Sequence, residues 1–349
     1  MRAYRITDWQ QGPRITEAPV PRPGPGEVLV RVAANGLCHS DALMSQVPEA
    51  FGVQLGWEVP FTLGHEVGGW VWDLGDGVDT LGTGDPVALV SANSCGVCRE
   101  CVRGRDSICT RSTFGRGFGR DGGLASFVLA RDVREVIPLR SLDPVVAGPL
   151  TDAGATSYHA VKRVLPRLEP GATAVVIGAG GGLGGFAVQF LRALSPAQVV
   201  AVDTSDERLA TATSLGAHLG LVGVDDTTAA TIRELTDGDG AAAVLDFVGI
   251  DSTIGAGLAA TRMAGAYAMV GAAGGTFRRP WYGGLPREAD VFTFQGSNIS
   301  DVLDVVALAE DGVVESRVER FAFDDVAEAY EHLDNGELNA RAVVIPDEV

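Results

Sequence analysis

No stretch of about 20 consecutive apolar residues occurs in this chain of 349, so nothing in it reads as a membrane-spanning helix. Basic residues are scarce: 27 Lys and Arg face 45 Asp and Glu, giving a formal net charge of −18. Phosphate backbones and anionic membranes are met by basic faces, so neither a nucleic acid nor a membrane is expected as a partner. The acidity is expected to serve solubility. The opening stretch "MRAYRITDWQQGPRITEAPV" lacks the apolar centre of a secretory signal, and a cytoplasmic, reducing location is expected. Low-complexity linkers and short-period repeats are missing too. Cysteine is rare, with five in all. Four of them, Cys95, Cys98, Cys101 and Cys109, crowd into "CGVCRECVRGRDSIC", while Cys38 stands alone in "GLCHSD". In a reducing compartment such clustering favours metal over disulfide.

What is present describes a folded chain. Hydrophobic residues make up 46% and charged residues 21%, and the length suffices for two domains with cores of their own. Residues 1–151 carry short β-type runs such as "EVLVRVAA", "VGGWVWDLG" and "DPVALV" among Gly and Pro, which predicts an irregular β-rich domain. Over residues 152–289 the rhythm changes. "TAVVIG", "QVVAVD", "AAVLDFVG" and "GAYAMVG" read as buried parallel strands, and "DERLATATSLGA" and "TAATIRELTDG" as the helices between them, the first stopped by Gly216. This alternation predicts an α/β, doubly wound parallel sheet. From 290 onward, "DVFTFQGSN", two helices in "DVLDVVALAEDG" and "DDVAEAYEHLDNG", and a strand "RAVVIP" are expected to return and complete the first domain.

The run "VVIGAGGGLGGFAVQF" follows a strand and opens an apolar helix. Glycines there let the backbone approach a pyrophosphate, which the helix N-terminus stabilises. Two registers are open: Gly180, Gly182 and Gly185 satisfy G-x-G-x-x-G, while Gly178, Gly181 and Gly184 satisfy G-x-x-G-x-x-G. Asp203 ends the next strand, where an acid accepts hydrogen bonds from an adenosine ribose. Strand, glycines, helix, strand and acid together predict a dinucleotide site, and Asp203 favours NAD over NADP. Gly178, Gly180, Gly181, Gly182, Leu183 and Gly184 are the expected cofactor contacts, with Arg208 close to the adenosine end.

Four thiolates spaced C-x2-C-x2-C-x7-C close a tetrahedral zinc sphere and leave no position for a substrate. An iron–sulfur cluster or four free thiols are the alternatives. Structural zinc is favoured by ligand count and spacing, so the chemistry is expected elsewhere. Cys38 has companions: His39, Ser40 and Asp41 beside it, His65 and Glu66 in "LGHEVGG", and Asp152 in "PLTDAGATSYHA". Spacing alone does not join them, since they come from distant parts of the chain.

Taken in order, "GPGEVLVRV", "GLCHSD", "LGHEVGG", the four-cysteine loop, "PLTDAGATSYHA", the glycine run, "AVDTSDERL", "LDFVG" and "ARAVVIP" resemble the zinc-dependent medium-chain alcohol dehydrogenases from end to end. The resemblance implies a GroES-like catalytic domain and a Rossmann domain, two zinc ions per subunit, and NAD. It implies a catalytic zinc on Cys38, His65 and Asp152, with water or substrate oxygen at the fourth position. Glu66 would stand behind the ligands, and Ser40 would relay the alcohol proton toward the nicotinamide ribose. His39 and Arg341 would lie near the pyrophosphate. Cys, His and Asp as the ligand set is similar to the bacterial branch acting largely on secondary alcohols and ketones. The family further implies a homodimer or homotetramer.

The sequence also departs from the family. "GAGGGLGG" is one residue longer than the common run and is similar to that of zinc-free quinone reductases. Position 43 is Leu where some relatives carry a relay His, and "SQVPEAFGVQLGWEVPF" is longer than in close relatives. Leu43, Phe51, Trp57, Phe294 and Gln295 are candidate pocket residues by position. The rival readings are an aldehyde, imine or enoyl reductase on the zinc scaffold, a zinc-free quinone reductase, and a non-catalytic zinc-binding interaction protein.

Overall fold

The computed structural model describes residues 1–112, 115–225 and 227–347. Two compact units divide the chain: Met1–Ala155 with Gly296–Val349, and Thr156–Gln295.

The first unit is built on two nine-residue strands, Val28–Gly36 and Glu66–Leu74. Their side chains alternate as a half-buried strand requires. Val28, Val30 and Val32 face a core shared with Val67, Val71, Val87 and Leu89, each such valine contributing about 1.5–3 kcal/mol on burial. Arg31 points the other way and lies over the Trp70 ring at 4.9 Å. The strands pair antiparallel with Gly36 opposite Glu66, and Pro86–Leu89, Phe127–Ala130, Val136–Pro138, Val318–Ala322 and Arg341–Ile345 extend them to a seven-stranded sheet. The last of these lies antiparallel to Val28–Gly36, with Val343 opposite Gly36. A smaller antiparallel sheet joins Arg2–Ile6, Arg14–Glu17 and Phe61–Thr62.

The second unit is a six-stranded parallel sheet of Thr173–Ile177, Gln198–Asp203, Leu219–Val222, Ala241–Asp246, Thr261–Met269 and Asp290–Thr293. Counted along the chain, the strands lie in the order 3-2-1-4-5-6. Such order reverses between the first and fourth strands, where dinucleotides bind. The strands Thr173–Ile177 and Ala241–Asp246 are buried along their whole length, which explains their unbroken apolar runs. Helix Asp206–Ser214 is capped by the Ser205 hydroxyl, which accepts the Arg208 N–H, and carries Asp206 and Glu207 in its first turn. Gly216, at φ +113°, follows its end. Sequence grouped "DVFTF" with the closing segment. Asp290–Thr293 instead pairs with Thr261–Met269 as the edge of the parallel sheet, because a four-residue strand carries too little pattern to reveal its partner.

Candidate active site and metal centres

The cage sulfurs stand close together. Cys98 Sγ lies 3.5 Å from Cys101 Sγ and 3.9 Å from Cys109 Sγ, and one ligand atom from each of the four cysteines falls within 4.8 Å of the others. Thiolates at about 2.3 Å from a tetrahedral zinc are about 3.8 Å apart. Backbone N–H groups point at the sulfurs, Cys95 N at Cys109 Sγ and Cys98 N at Cys95 Sγ, both at 3.3 Å. Backbone N–H groups favour thiolate over thiol: those of Val97 and Cys98 pull the Cys95 pKa down, and those of Cys101 and Thr110 that of Cys98. The loop is tied to the start of helix Ile299–Glu310, where Asn298 Oδ1 accepts from the Ser107 amide and hydroxyl at 3.2 and 3.1 Å. The donor set suits zinc and is closed to a substrate.

The second set forms because the strand register brings its members to one end of the sheet. Cys38 lies two residues past Gly36, and His65 immediately precedes Glu66, the residue opposite Gly36. The third member arrives by a crossing that only glycine permits. A Cβ on Gly68 would lie 1.9 Å from the Pro144 carbonyl oxygen, and one on Gly148 would lie 2.3 Å from that of Glu66. The turn Gly148–Thr151 therefore packs directly on the strand and delivers Asp152 at its end. Ligand atoms of Cys38, His65, Glu66 and Asp152 all lie within 4.8 Å of one another, with His65 Nε2 at 3.5 Å from Asp152 Oδ2.

His65 is 1% exposed, and its Nδ1 lies 2.9 Å from Asp41 Oδ1. A carboxylate only accepts, so Nδ1 carries the proton and Nε2 turns its lone pair toward Cys38 and Asp152. Burial disfavours a charged imidazole, yet Asp41, Asp152 and Cys38 raise its pKa well above the ordinary value. The surroundings draw positive charge to this point, and a divalent cation meets that demand as a proton does.

Glu66 is wholly buried and receives the Arg341 guanidinium through Nε (3.0 Å) and Nη2. Burial pushes the Glu66 carboxyl up while Arg341 pulls it down. A Cβ on Gly36 would lie 2.0 Å from Glu66 Oε2, so glycine makes room for this carboxylate. Arg341 is 6% exposed and its guanidinium is engaged by Glu66, because the last strand pairs beside Gly36 and brings it there. His39 is exposed and Ser40 half-buried on the short helix His39–Leu43. Leu43 and Phe51 are exposed, whereas Trp57 packs in the core against Phe61 at 6.1 Å. In the other unit Phe294 packs on His159 at 4.8 Å and Gln295 is exposed.

Sequence patterns gave no sign of residues 115–123 as part of this site. Phe118 in that loop lies 4.8 Å from the His65 ring. The loop is held by a buried charge cluster: Arg116 donates to the Leu129 carbonyl and to Glu135 Oε2, and Arg120 to both Glu135 oxygens, at 2.6–3.1 Å. Burial works against the Glu135 carboxylate, but Arg116 and Arg120 outweigh it and hold the pKa below the usual range. With the folded value under the unfolded value of about 4.3, the stabilisation is complete above about pH 4.3 and is lost as pH falls through the folded value. Glu135→Gln leaves the wholly buried Arg116 without its counter-charge. It is expected to cost about 3–5 kcal/mol at neutral pH and to flatten the acid limb of the stability curve. Urea unfolding of both proteins at neutral and acid pH measures this; equal stabilities at neutral pH would refute it.

At the nucleotide end, three glycines are sterically required. Gly178 adopts φ +79°, a Cβ on Gly180 would lie 2.5 Å from the Arg208 carbonyl oxygen, and one on Gly184 would lie 2.0 Å from that of Gly178. The demands at 178, 180 and 184 match neither triad read from sequence. In the turn, Gly181 caps helix Gly182–Leu194 and its N–H bonds the Gly178 carbonyl at 3.1 Å. Gly182 and Leu183 thus lie in the first turn, whose amides point out of the helix. Asp203 is 6% exposed, and its carboxylate accepts the Gly180 N–H at 2.8 Å and the Thr204 N–H at 2.7 Å.

Residues 24–141 match the alcohol dehydrogenase GroES-like domain and residues 182–311 the zinc-binding dehydrogenase family. An NAD-dependent alcohol dehydrogenase of Sulfurisphaera tokodaii is 34% identical over 99% of this chain and 100% of its own. The crystal structure of the alcohol dehydrogenase of Aeropyrum pernix superposes with a TM-score of 0.91 at 34% identity, covering 99% of this chain and 100% of that one. An acetophenone reductase from Geotrichum candidum, in complex with NAD, gives 0.86 at 29% identity over 99% and 96% of the two chains. The chain belongs to the zinc-dependent medium-chain alcohol dehydrogenase family, with a GroES-like domain and a Rossmann-type parallel sheet.

Proposed function

We propose that this chain is an NAD-dependent zinc alcohol dehydrogenase and carbonyl reductase, with its chemistry at Cys38, His65 and Asp152. One observation carries the reading: three donors converge while Asp41 fixes the His65 tautomer that leaves Nε2 open to them. Zinc held there supplies a Lewis acid that makes a bound hydroxyl easier to deprotonate, and NAD supplies the acceptor for hydride. The rest falls to side chains. Asp41 orients His65, Ser40 would take the hydroxyl proton as it hands on its own, and Leu43 offers no second proton acceptor. Arg341 holds Glu66 in place behind the ligands. Asp203 would accept the adenosine ribose hydroxyls, and the turn of Gly178–Gly184 with the helix behind it would hold the pyrophosphate. Arg208 lies close to the adenosine end.

The thiol-rich cage suits a reducing cytoplasm, and no helix among the described residues is long and apolar enough to cross a membrane. We infer a homodimer or homotetramer from the family, and a catalytic domain of residues 1–151 completed by the chain from Gly296 onward.

The substrate is a neutral, largely apolar alcohol or carbonyl compound, secondary alcohols and ketones ahead of primary alcohols and aldehydes. Leu43 and Phe51 offer exposed apolar surface on the unit that carries the metal ligands. An anionic hydroxy acid would lack a counter-charge, and a polyol would lack hydrogen-bond partners. A screen by NADH absorbance, pairing secondary with primary alcohols and each with its carbonyl, tests this. Strong turnover of a sugar alcohol or hydroxy acid, with none of simple hydrophobic alcohols, would contradict it.

A further inference from the structure

We propose that Tyr330 is a positioning residue for the catalytic metal ligands, acting through Asp41. This rests on the reading that Cys38, His65 and Asp152 hold zinc.

Asp41 is 1% exposed, and its carboxylate braces two ligand residues at once. Oδ1 faces His65 Nδ1 at 2.9 Å, and Oδ2 accepts the Cys38 backbone N–H at 3.1 Å. Both contacts come from the parts whose orientation matters, so they cannot by themselves anchor the carboxylate. The third contact does. Tyr330 Oη donates to Asp41 Oδ2 at 2.9 Å, from helix Val326–Asn335, 289 residues along the chain. Its ring is fixed independently of the ligands: it stacks on Tyr4 at a centroid distance of 6.0 Å and lies in a core with Leu37, Trp57, Phe61 and Phe323. The closing segment thus reaches the metal ligands through one phenol, one carboxylate and two N–H groups.

Groups that orient metal ligands from behind typically change metal affinity about 10- to 100-fold when removed. Tyr330→Phe keeps the ring and deletes only the donor. Zinc of the Cys38 site is expected to pass to an external chelator about tenfold faster than in the wild-type protein, while the four-cysteine zinc leaves at its wild-type rate. The melting temperature should fall by a few degrees at most. Tyr4→Phe, which keeps the stacked ring, should leave both release rates unchanged. Cys38→Ala, measured alongside, tests the underlying reading: if it carried as much zinc as wild type, that reading would fall and the inference with it. If Cys38→Ala lacked one zinc but Tyr330→Phe released both metals at wild-type rates, Tyr330 would not position the ligands. Faster release of both metals together would make it a packing residue and overturn the inference equally.

Discussion

Cys38→Ala is expected to lower NAD-linked alcohol turnover by at least about a thousandfold while leaving the chain folded. The substitution removes the only thiolate of the second donor set. Asp152, His65 and the nearby Glu66 remain, but Glu66 is engaged by Arg341 and is a poor replacement. A bound zinc used as a Lewis acid is worth several kcal/mol of transition-state stabilisation, and about 4 kcal/mol corresponds to three decades of rate. The fold is expected to survive because the two valine-rich strands, Val28–Gly36 and Glu66–Leu74, pair along their length without help from the thiol. Cys101→Ala should do the opposite. Its sulfur belongs to the closed cage, whose metal is coupled to the order of the loop and of the Asn298 contacts. The melting temperature or solubility should fall first, with turnover per folded molecule little changed. Equal effects of the two substitutions on turnover per folded molecule would refute the division of labour.

The second large effect concerns the cofactor. Asp203 is locked by the Gly180 and Thr204 amides, so its carboxylate has a fixed place at the end of the strand. In the role proposed for it, it would accept charge-assisted hydrogen bonds from the ribose of NAD and would face a dianionic phosphate with NADP. Loss of such bonds costs about 1.5–3 kcal/mol, or roughly 10- to 150-fold in affinity, and repulsion adds to this. Arg208, at the start of the following helix, would offset part of the penalty if its guanidinium reached the phosphate. A preference for NAD of at least about tenfold in kcat/KM is expected, shrinking in Asp203→Ala. Equal use of NADP by the wild-type protein would mean that Asp203 has been given the wrong role.

The architecture was legible wherever it follows from local pattern. Buried strands such as "TAVVIG" and "QVVAVD" announced a parallel sheet through unbroken apolar runs, and four cysteines at fixed spacing announced a cage through ligand count. Cys38, His65 and Asp152 could be joined only by family resemblance. The geometry that unites them, a strand register and two glycines that let Pro144–Asp152 cross the strand, leaves no local signature. The same holds for what supports the ligands. Asp41 is one polar residue in "GLCHSD" until His65 is seen against it, and Tyr330 is one aromatic in a helix. Arg341 reads as a cation near the end of the chain, and only the last strand's pairing assigns it to Glu66. In the glycine run the required positions 178, 180 and 184 depend on the Arg208 carbonyl and on the turn's own backbone, and neither spacing rule describes that.

Zinc content per chain, measured on the wild-type protein and on Cys38→Ala alongside NADH turnover, tests most directly whether the isolated cysteine and not the cage is the seat of the chemistry. The wild-type chain should carry two zinc ions and turn over. Cys38→Ala should carry one and be inactive. Two zinc ions and normal turnover in Cys38→Ala would contradict the account.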